Sequence, residues 1–286
     1  MINSLKSQTV AGASDGMLPT ISCSLPSSSG ISSFPRRSGR VIARFSCGAA
    51  SAVATKLAIQ HYGLDAVEIY YTDTGSEHED NVRFLRECES WFGKSVTVLK
   101  SEKYANVDEV FEARKFLVNH KGAPCTGEMK RIPGDKVWRI GDVEVYGYDR
   151  TERRRVEKWQ AQNNEKIIVC PLIDLDLTKA DCLGILDRVG IMAPFMYMLG
   201  FLNNNCIGCV KARDNINYWK RVRKYFPAVY SARAAQERKF GVAINRRTRK
   251  GVRAEIYLDE IEAGDPTGPD FAVTCGLFCM AEADAL

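Results

Sequence analysis

Four cysteines toward the C-terminal end have the spacing most readily tied to chemistry: Cys206-Ile207-Gly208-Cys209 and Cys275-Gly276-Leu277-Phe278-Cys279. A glycine beside a cysteine lets two thiolates turn toward one point, as a tetrahedral Zn²⁺ or an iron–sulfur cluster requires. No histidine follows His120, so a closed site of Cys206, Cys209, Cys275 and Cys279 is all-cysteine and suits Zn²⁺ and a [4Fe–4S] cluster equally. Reduced core thiols and a redox dithiol are the plainer readings of the same residues.

Other segments point to anions. In Ser46-Cys47-Gly48-Ala49-Ala50-Ser51, small residues sit between an apolar run (41–45) and an Ala-rich stretch with Val53, Leu57 and Ile59 at helical spacing. Such a strand–turn–helix offers backbone amides and a helix N-terminus to a phosphate, with Ser46 and Ser51 adding hydroxyls. Asp73-Thr74-Gly75 puts a carboxylate and a hydroxyl at the end of a strand-like run, 66–72. Cys125-Thr126 followed by Lys130 and Arg131, between Pro124 and Pro133, suits a loop that closes over an anion; a surface loop with a buried thiol is the alternative. Arg150, Arg153, Arg154 and Arg155 crowd another strand end and repel one another unless an anion, or Asp149 and Glu152, offsets them.

The elements that position these residues alternate. Strands are expected at 41–45, 66–72, 95–99, 143–146 and 167–172, with helices over 49–59, 79–92, 107–119 and 179–189. Alternation of this kind predicts an α/β protein with a doubly wound, mostly parallel sheet, whose ligands lie at the carboxyl ends of the strands. A further helix is expected over 215–238, interrupted at Pro227, with its aromatic residues serving as core.

In order and spacing these segments resemble the phosphoadenosine phosphosulfate reductase family, within the wider adenine-nucleotide α-hydrolase-like, or PP-loop, group. The resemblance covers residues 41–210. It rests on the 46–51 turn in place of the family's Ser-Gly-Gly-x-x-Ser, on Tyr71-Thr72-Asp73-Thr74-Gly75, and on Cys125-Thr126-x-x-Met129-Lys130. Gly147-x-x-Arg150-x-Glu152 and Pro171-Leu172-Ile173-Asp174 followed by Thr178-Lys179-Ala180-Asp181 complete it. It implies a five-stranded sheet with helices on both faces and an adenine nucleotide, ATP or phosphoadenosine phosphosulfate, across the strand ends. It also implies that Ser46, Gly48 and Ser51 cradle phosphate, that Asp73, Thr74 and Gly75 line the nucleotide site, and that Lys130, Arg150 and Arg154 hold the phosphate or sulfate end. Related sulfur-transfer enzymes of this fold carry three- or four-cysteine clusters, which favours a metal or cluster and leaves Cys125 as a catalytic thiol.

Two departures stand out. Cys47 replaces the first glycine of the family's pair, which narrows the turn and is expected to put a thiol near the phosphates. Thr274-Cys275-Gly276-Leu277 lies where assimilatory reductases carry a Glu-Cys-Gly-Leu-His tail, but lacks the Glu and the His. The resemblance therefore implies one of two enzymes. One reduces a sulfonucleotide, with Cys275 attacking sulfur, Lys130 offsetting leaving-group charge, and a thiol electron donor such as thioredoxin. The other cleaves ATP, adenylates an acceptor and transfers sulfur to it. A non-catalytic nucleic-acid-binding or regulatory protein with structural zinc is the reading from a different class, carried by Arg246, Arg247, Arg249 and Lys250.

The chain of 286 residues, 45% apolar, is long enough for a full core, and its net charge of +5 does not by itself argue for nucleic acid. No run approaches the roughly 18 apolar residues of a membrane span. Ten cysteines with this spacing fit a reducing, cytoplasmic setting better than a disulfide framework. Three regions are expected: a flexible Ser-rich arm over 1–40, a nucleotide-binding domain over 41–195, and a mainly helical Cys-rich extension over 196–286 packed on it. The arm also has the composition of an organelle transit peptide, and Met17 is an alternative start.

Overall fold

The computed structural model describes residues 25–26, 34–35, 39–119, 122–249, 251–265 and 270. Most of the expected arm, Lys250, Cys275 and Cys279 lie outside these residues. Of the arm's described residues, Leu25 and Phe34 pack on the core, and the Phe34 ring stacks on His61 with centroids 4.2 Å apart.

Five strands, β1 (Val41–Phe45), β2 (Val67–Thr72), β3 (Thr97–Leu99), β4 (Val143–Tyr146) and β5 (Ile167–Val169), form one sheet. All pairs are parallel and the order is β3-β2-β1-β4-β5, the doubly wound arrangement expected. The chain winds outward from β1 to β3, then returns to place β4 on the other side of β1, so the direction reverses between β1 and β4. Helices α1 (Ala49–Tyr62), α2 (Asn81–Phe92), α3 (Val107–Arg114), α4 (Arg153–Gln162) and α5 (Lys179–Arg188) lie between or after the strands. Strand alternation divides the sheet's two faces. Val41, Ala43, Phe45, Val67, Ile69, Val143 and Val145 pack with Val53 and Leu57 of α1, Phe84 of α2 and Leu186 of α5.

The opposite face is polar where a parallel sheet is normally apolar. Arg44 is paired with Glu144 of the neighbouring strand, Nε donating to Oε1 at 2.7 Å, and their side chains are 8% and 0% exposed. Arg40 donates to Asp142 and Glu68 at 2.8 and 2.9 Å. Both arginines also donate to backbone carbonyls, Val137 at 2.6 Å and Gly134 at 3.2 Å, and so fasten the segment between β3 and β4 onto the sheet. Replacing Glu144 with Gln leaves the buried guanidinium without a counter-charge; the expected cost is about 2–3 kcal/mol of unfolding free energy in urea titrations. A double change of Arg44 and Glu144 to apolar residues of similar volume is expected to cost less than the single one.

Four expected elements differ in detail, among them the last strand, expected over 167–172, which ends at Val169 because Pro171 opens a short helix, Pro171–Asp174. The stretch expected as a loop over 122–133 is helical: Pro124–Thr126, a π-helical turn over Gly127–Arg131, then Ile132–Asp135. Proline starts a helix readily because its missing N–H has no intrahelical partner there, and Pro124 and Pro133 both lie in first turns. Helix α3 stops at Arg114 rather than 119, because Lys115 turns left-handed (φ 48°) and caps it. The helix expected over 215–238 is two, α6 (Ile216–Tyr225) and α7 (Pro227–Phe240), since Pro227 can begin a helix but not continue one. A hairpin, β6 (Asn245–Arg249) with β7 (Val252–Ile256), follows. A second core unites Val110, Phe111 and Met129 with Phe201, Trp219, Tyr230, Ile244 and Leu258, so the middle of the chain packs with its C-terminal elements.

Candidate nucleotide site

Where the winding reverses, a cleft of about 160 Å³ opens over the carboxyl ends of β1, β2 and β4. Its near wall is the turn from β1 into α1. The Ser51 hydroxyl organises that turn, accepting from the Ser46 and Gly48 amides at 3.0 and 3.3 Å and donating to the Gly48 carbonyl at 2.9 Å. Gly147, leaving β4, passes so close that a Cβ on it would lie 2.5 Å from the Ser51 amide nitrogen and Cα. The turn is also held from the C-terminal region. Asn204 donates to the Cys47 carbonyl at 2.6 Å, and the Tyr197 hydroxyl accepts from the Ala49 and Asn204 amides.

Cys47 corrects an expectation. Its φ of 54° turns the side chain away from the cleft; the thiol is fully buried in the core, and burial pushes its pKa far up. A thiol held protonated among apolar side chains is neither a phosphate contact nor a nucleophile.

Ser46, Gly48, Ser51 and Lys130 line the cleft; the other expected nucleotide contacts stand elsewhere. Asp73 pairs with Lys100 at 3.0 Å and accepts from the Gly75 amide at 2.8 Å. Gly75 (φ 63°) allows a close approach, since a Cβ there would lie 2.1 Å from the Ala105 carbonyl oxygen. The buried Thr74 hydroxyl meets the Cys206 sulfur at 3.0 Å. Arg150 pairs with Asp176 at 2.9 Å, and Arg154 is exposed on α4. Its neighbour Arg155, about 100° further around the helix, faces the cleft instead, held by Glu152 at 3.0 Å and set 5.3 Å from the Tyr148 ring centroid. Burial raises the Glu152 pKa, with Arg155 opposing it.

Lys179, Arg44, Tyr70, Tyr146, Tyr148 and Tyr197 also line the cleft, and their roles were not foreseen from sequence. Lys179 opens α5 behind the Thr178 capping box, and its ammonium donates to the Leu202 carbonyl at 3.2 Å and to the Asn203 side chain. Burial lowers its pKa against the pull of Asp149 and Glu152. The Thr178-Lys179 pair was the available signal, because a lysine at a helix start beside a sheet's ligand edge has an anion as its natural partner.

A second, small cavity lies behind Lys130, lined by Cys125, Cys206 and Cys209 with Thr74 and Thr126. Lys130 borders both spaces. The Thr126 hydroxyl is buried there without a hydrogen-bond partner. Cys206 and Cys209 are the described half of the expected four-thiolate site. Among the described residues, no three His, Cys, Asp or Glu side chains converge to hold a metal ion. The described donors alone therefore do not make a metal centre.

Of the basic stretch expected to track a polyanion, Arg246 and Arg247 are neutralised within the molecule, while Lys250 and the Arg249 side chain lie outside what is described. Arg246 and Arg253 share Asp214 at 2.7 and 2.8 Å, and Arg247 pairs with buried Asp265 at 3.0 Å. Among the described residues, no helix is long and apolar enough to cross a membrane.

The fold and site define an open α/β protein with a ligand cleft at its winding reversal. No protein-family model matches the chain, and no curated protein matches it. Among solved structures it is similar to phosphoadenylyl-sulfate (PAPS) reductase from Candida auris, determined as a phosphate complex. The match has 12% identity and a TM-score of 0.41, and covers 60% of this chain and 82% of that one.

Proposed function

We propose that this chain is an enzyme that binds an adenine nucleotide in the cleft and carries out sulfur chemistry with thiols next to it. The observation that carries the reading is Lys130, which borders both the cleft and the cavity lined by Cys125, Cys206 and Cys209. A cation at that position offsets charge developing on a phosphate or sulfate while a thiolate approaches from the other side.

Two reactions fit this reading. In the first, a thiolate attacks the sulfur of a sulfonucleotide, the sulfur–oxygen bond to phosphate breaks, and the nucleotide leaves. A second thiol then displaces sulfite and forms a disulfide, which an external dithiol reduces. In the second, an acceptor oxygen attacks the α-phosphorus of ATP and pyrophosphate leaves; a cysteine persulfide charged by an external sulfane-sulfur donor then displaces AMP, and a second thiol cleaves the resulting S–S bond, leaving a disulfide that an external dithiol reduces. Cys275 and Cys125 are the proposed nucleophiles. Sulfite release from the sulfonucleotide supports the first reaction and pyrophosphate release from ATP the second; release of neither overturns the enzymatic reading.

Lys179→Ala is expected to weaken nucleotide binding about tenfold in calorimetric titration, with an unchanged melting temperature, since it removes one partly buried cation from the cleft. The alternative is a four-thiolate site of Cys206, Cys209, Cys275 and Cys279, in which Cys275 is a ligand and Cys125 alone the nucleophile. Iron, sulfide and zinc analysis of protein purified without oxygen tests it, with metal expected to be lost in both Cys206→Ser and Cys275→Ser.

A further inference from the structure

The floor of the cleft is a single cross-strand row. In the sheet register Arg44 of β1 stands opposite Tyr70 of β2 on one side and Tyr146 of β4 on the other, and all three line the cleft. Neighbouring strands are about 4.8 Å apart, so the row spans on the order of 10 Å, about the extent of a fused heterocycle and its sugar. Two residues back in the same register, Glu68 and Glu144 flank Ile42 and hold the row from behind. The Tyr70 hydroxyl donates to Glu68 at 2.7 Å, Arg44 Nε donates to Glu144 at 2.7 Å, and the Tyr146 hydroxyl donates to Glu144 at 3.3 Å.

This arrangement takes the polar tips of the row out of contention as ligand partners. The Arg44 charge is spent on a carboxylate, so the row is a poor anion site. What it offers a ligand is the half-buried Tyr70 ring; Arg44 and Tyr146 are buried beside it, the Tyr146 ring already stacked on that of Tyr148 with centroids 5.7 Å apart, in a cleft whose other walls include Phe45 and Tyr197. Planar π-surfaces of this kind gain most from stacking on another flat ring. The α1 N-terminus belongs to the opposite, apolar face of the sheet. A ligand that touches both must cross the end of β1, with its anionic part at the turn and its flat part on the row.

We propose that Tyr70, backed by the buried Arg44 and Tyr146, is the base-stacking floor of the cleft, making its ligand a nucleotide selected through its heterocycle rather than a simple phosphate or sulfate ester. This rests on the nucleotide reading above and adds where the base lies and what recognises it.

The test compares ATP, adenosine 3′,5′-bisphosphate and inorganic tripolyphosphate by calorimetric titration on the whole chain. In Tyr70→Leu the tighter-binding of the two nucleotides loses about tenfold in affinity, while tripolyphosphate binding stays within twofold of wild type. Tyr70→Phe, which keeps the ring and loses the hydroxyl, restores nucleotide binding. Unchanged tripolyphosphate binding also shows that the variants are folded. If Tyr70→Leu binds nucleotide like wild type while Lys179→Ala binds it more weakly, nucleotides enter the cleft but do not stack on this row, and the proposal is wrong. If wild-type protein binds neither nucleotide, the nucleotide reading itself fails and the proposal falls with it.

Discussion

Gly147→Ala is expected to reduce nucleotide turnover by about 100-fold or more, the scale set by misplacing a binding group by an ångström. The added methyl would lie 2.5 Å from the amide nitrogen and Cα of Ser51 and 2.8 Å from the carbonyl carbon of Ala50. These are backbone atoms in the first turn of α1, not the yielding end of a long side chain. Either β4 or the α1 N-terminus must move, and both border the cleft. Overpacking of this kind also costs about 1–3 kcal/mol of stability, so folding is checked first by thermal melting. Gly147→Ala with full affinity for nucleotide would show that the 46–51 turn does not hold the phosphates.

Glu237 carries the second large effect, on stability. Its fully buried carboxylate accepts from the Ile244 and Leu258 amides, both at 2.6 Å, and so ties down the two ends of the β6–β7 hairpin. Glu237→Ala orphans two buried amide donors, at about 1–3 kcal/mol each, and is expected to cost about 4 kcal/mol in urea unfolding. Burial pushes this carboxyl up to about 7, against the backbone donors and Arg238 and with Asp259. A folded pKa above the unfolded value of 4.5 means that the folded protein holds the proton more tightly. The resulting stabilisation is full below about pH 4.5 and is lost as pH rises through about 7. The stability difference between wild type and Glu237→Gln should therefore shift by about 2 kcal/mol between pH 5 and pH 8, in the variant's favour at pH 8. A difference independent of pH would mean that Glu237 stays ionised throughout.

Much of the sheet was legible because its strands are short apolar runs set between helical repeats; β1, β2 and β4 lie within a residue of their expected ends. The cleft floor was missed although its signal was present. Val67-Glu-Ile-Tyr-Tyr71 and Val143-Glu-Val-Tyr146 each alternate apolar with polar residues, and Arg44 interrupts the apolar run 41–45 in the same phase, which together mark one polar face. Reading the runs only as buried strands hid Arg44, Tyr70 and Tyr146. Arg155 was passed over for Arg154 because choosing between adjacent helical residues requires the helix phase, which packing sets. Asp73, Thr74 and Gly75 follow β2 as expected, but backbone and thiol contacts take up their polar groups. The partners that neutralise Arg246 and Arg247, Asp214 and Asp265, lie 32 and 18 residues away along the chain, beyond the reach of local charge counting.

Asn204 gives the two cores a shared keystone. It bonds to the Cys47 carbonyl and to Asn81 at 2.7 Å, while the adjoining Cys206 meets Thr74, so residues beyond 200 complete the turn that begins α1. Binding in the cleft therefore draws on contacts from both cores. Occupancy of the cleft should raise the melting of the helical C-terminal core together with that of the sheet, as mass action requires when both must be intact to bind.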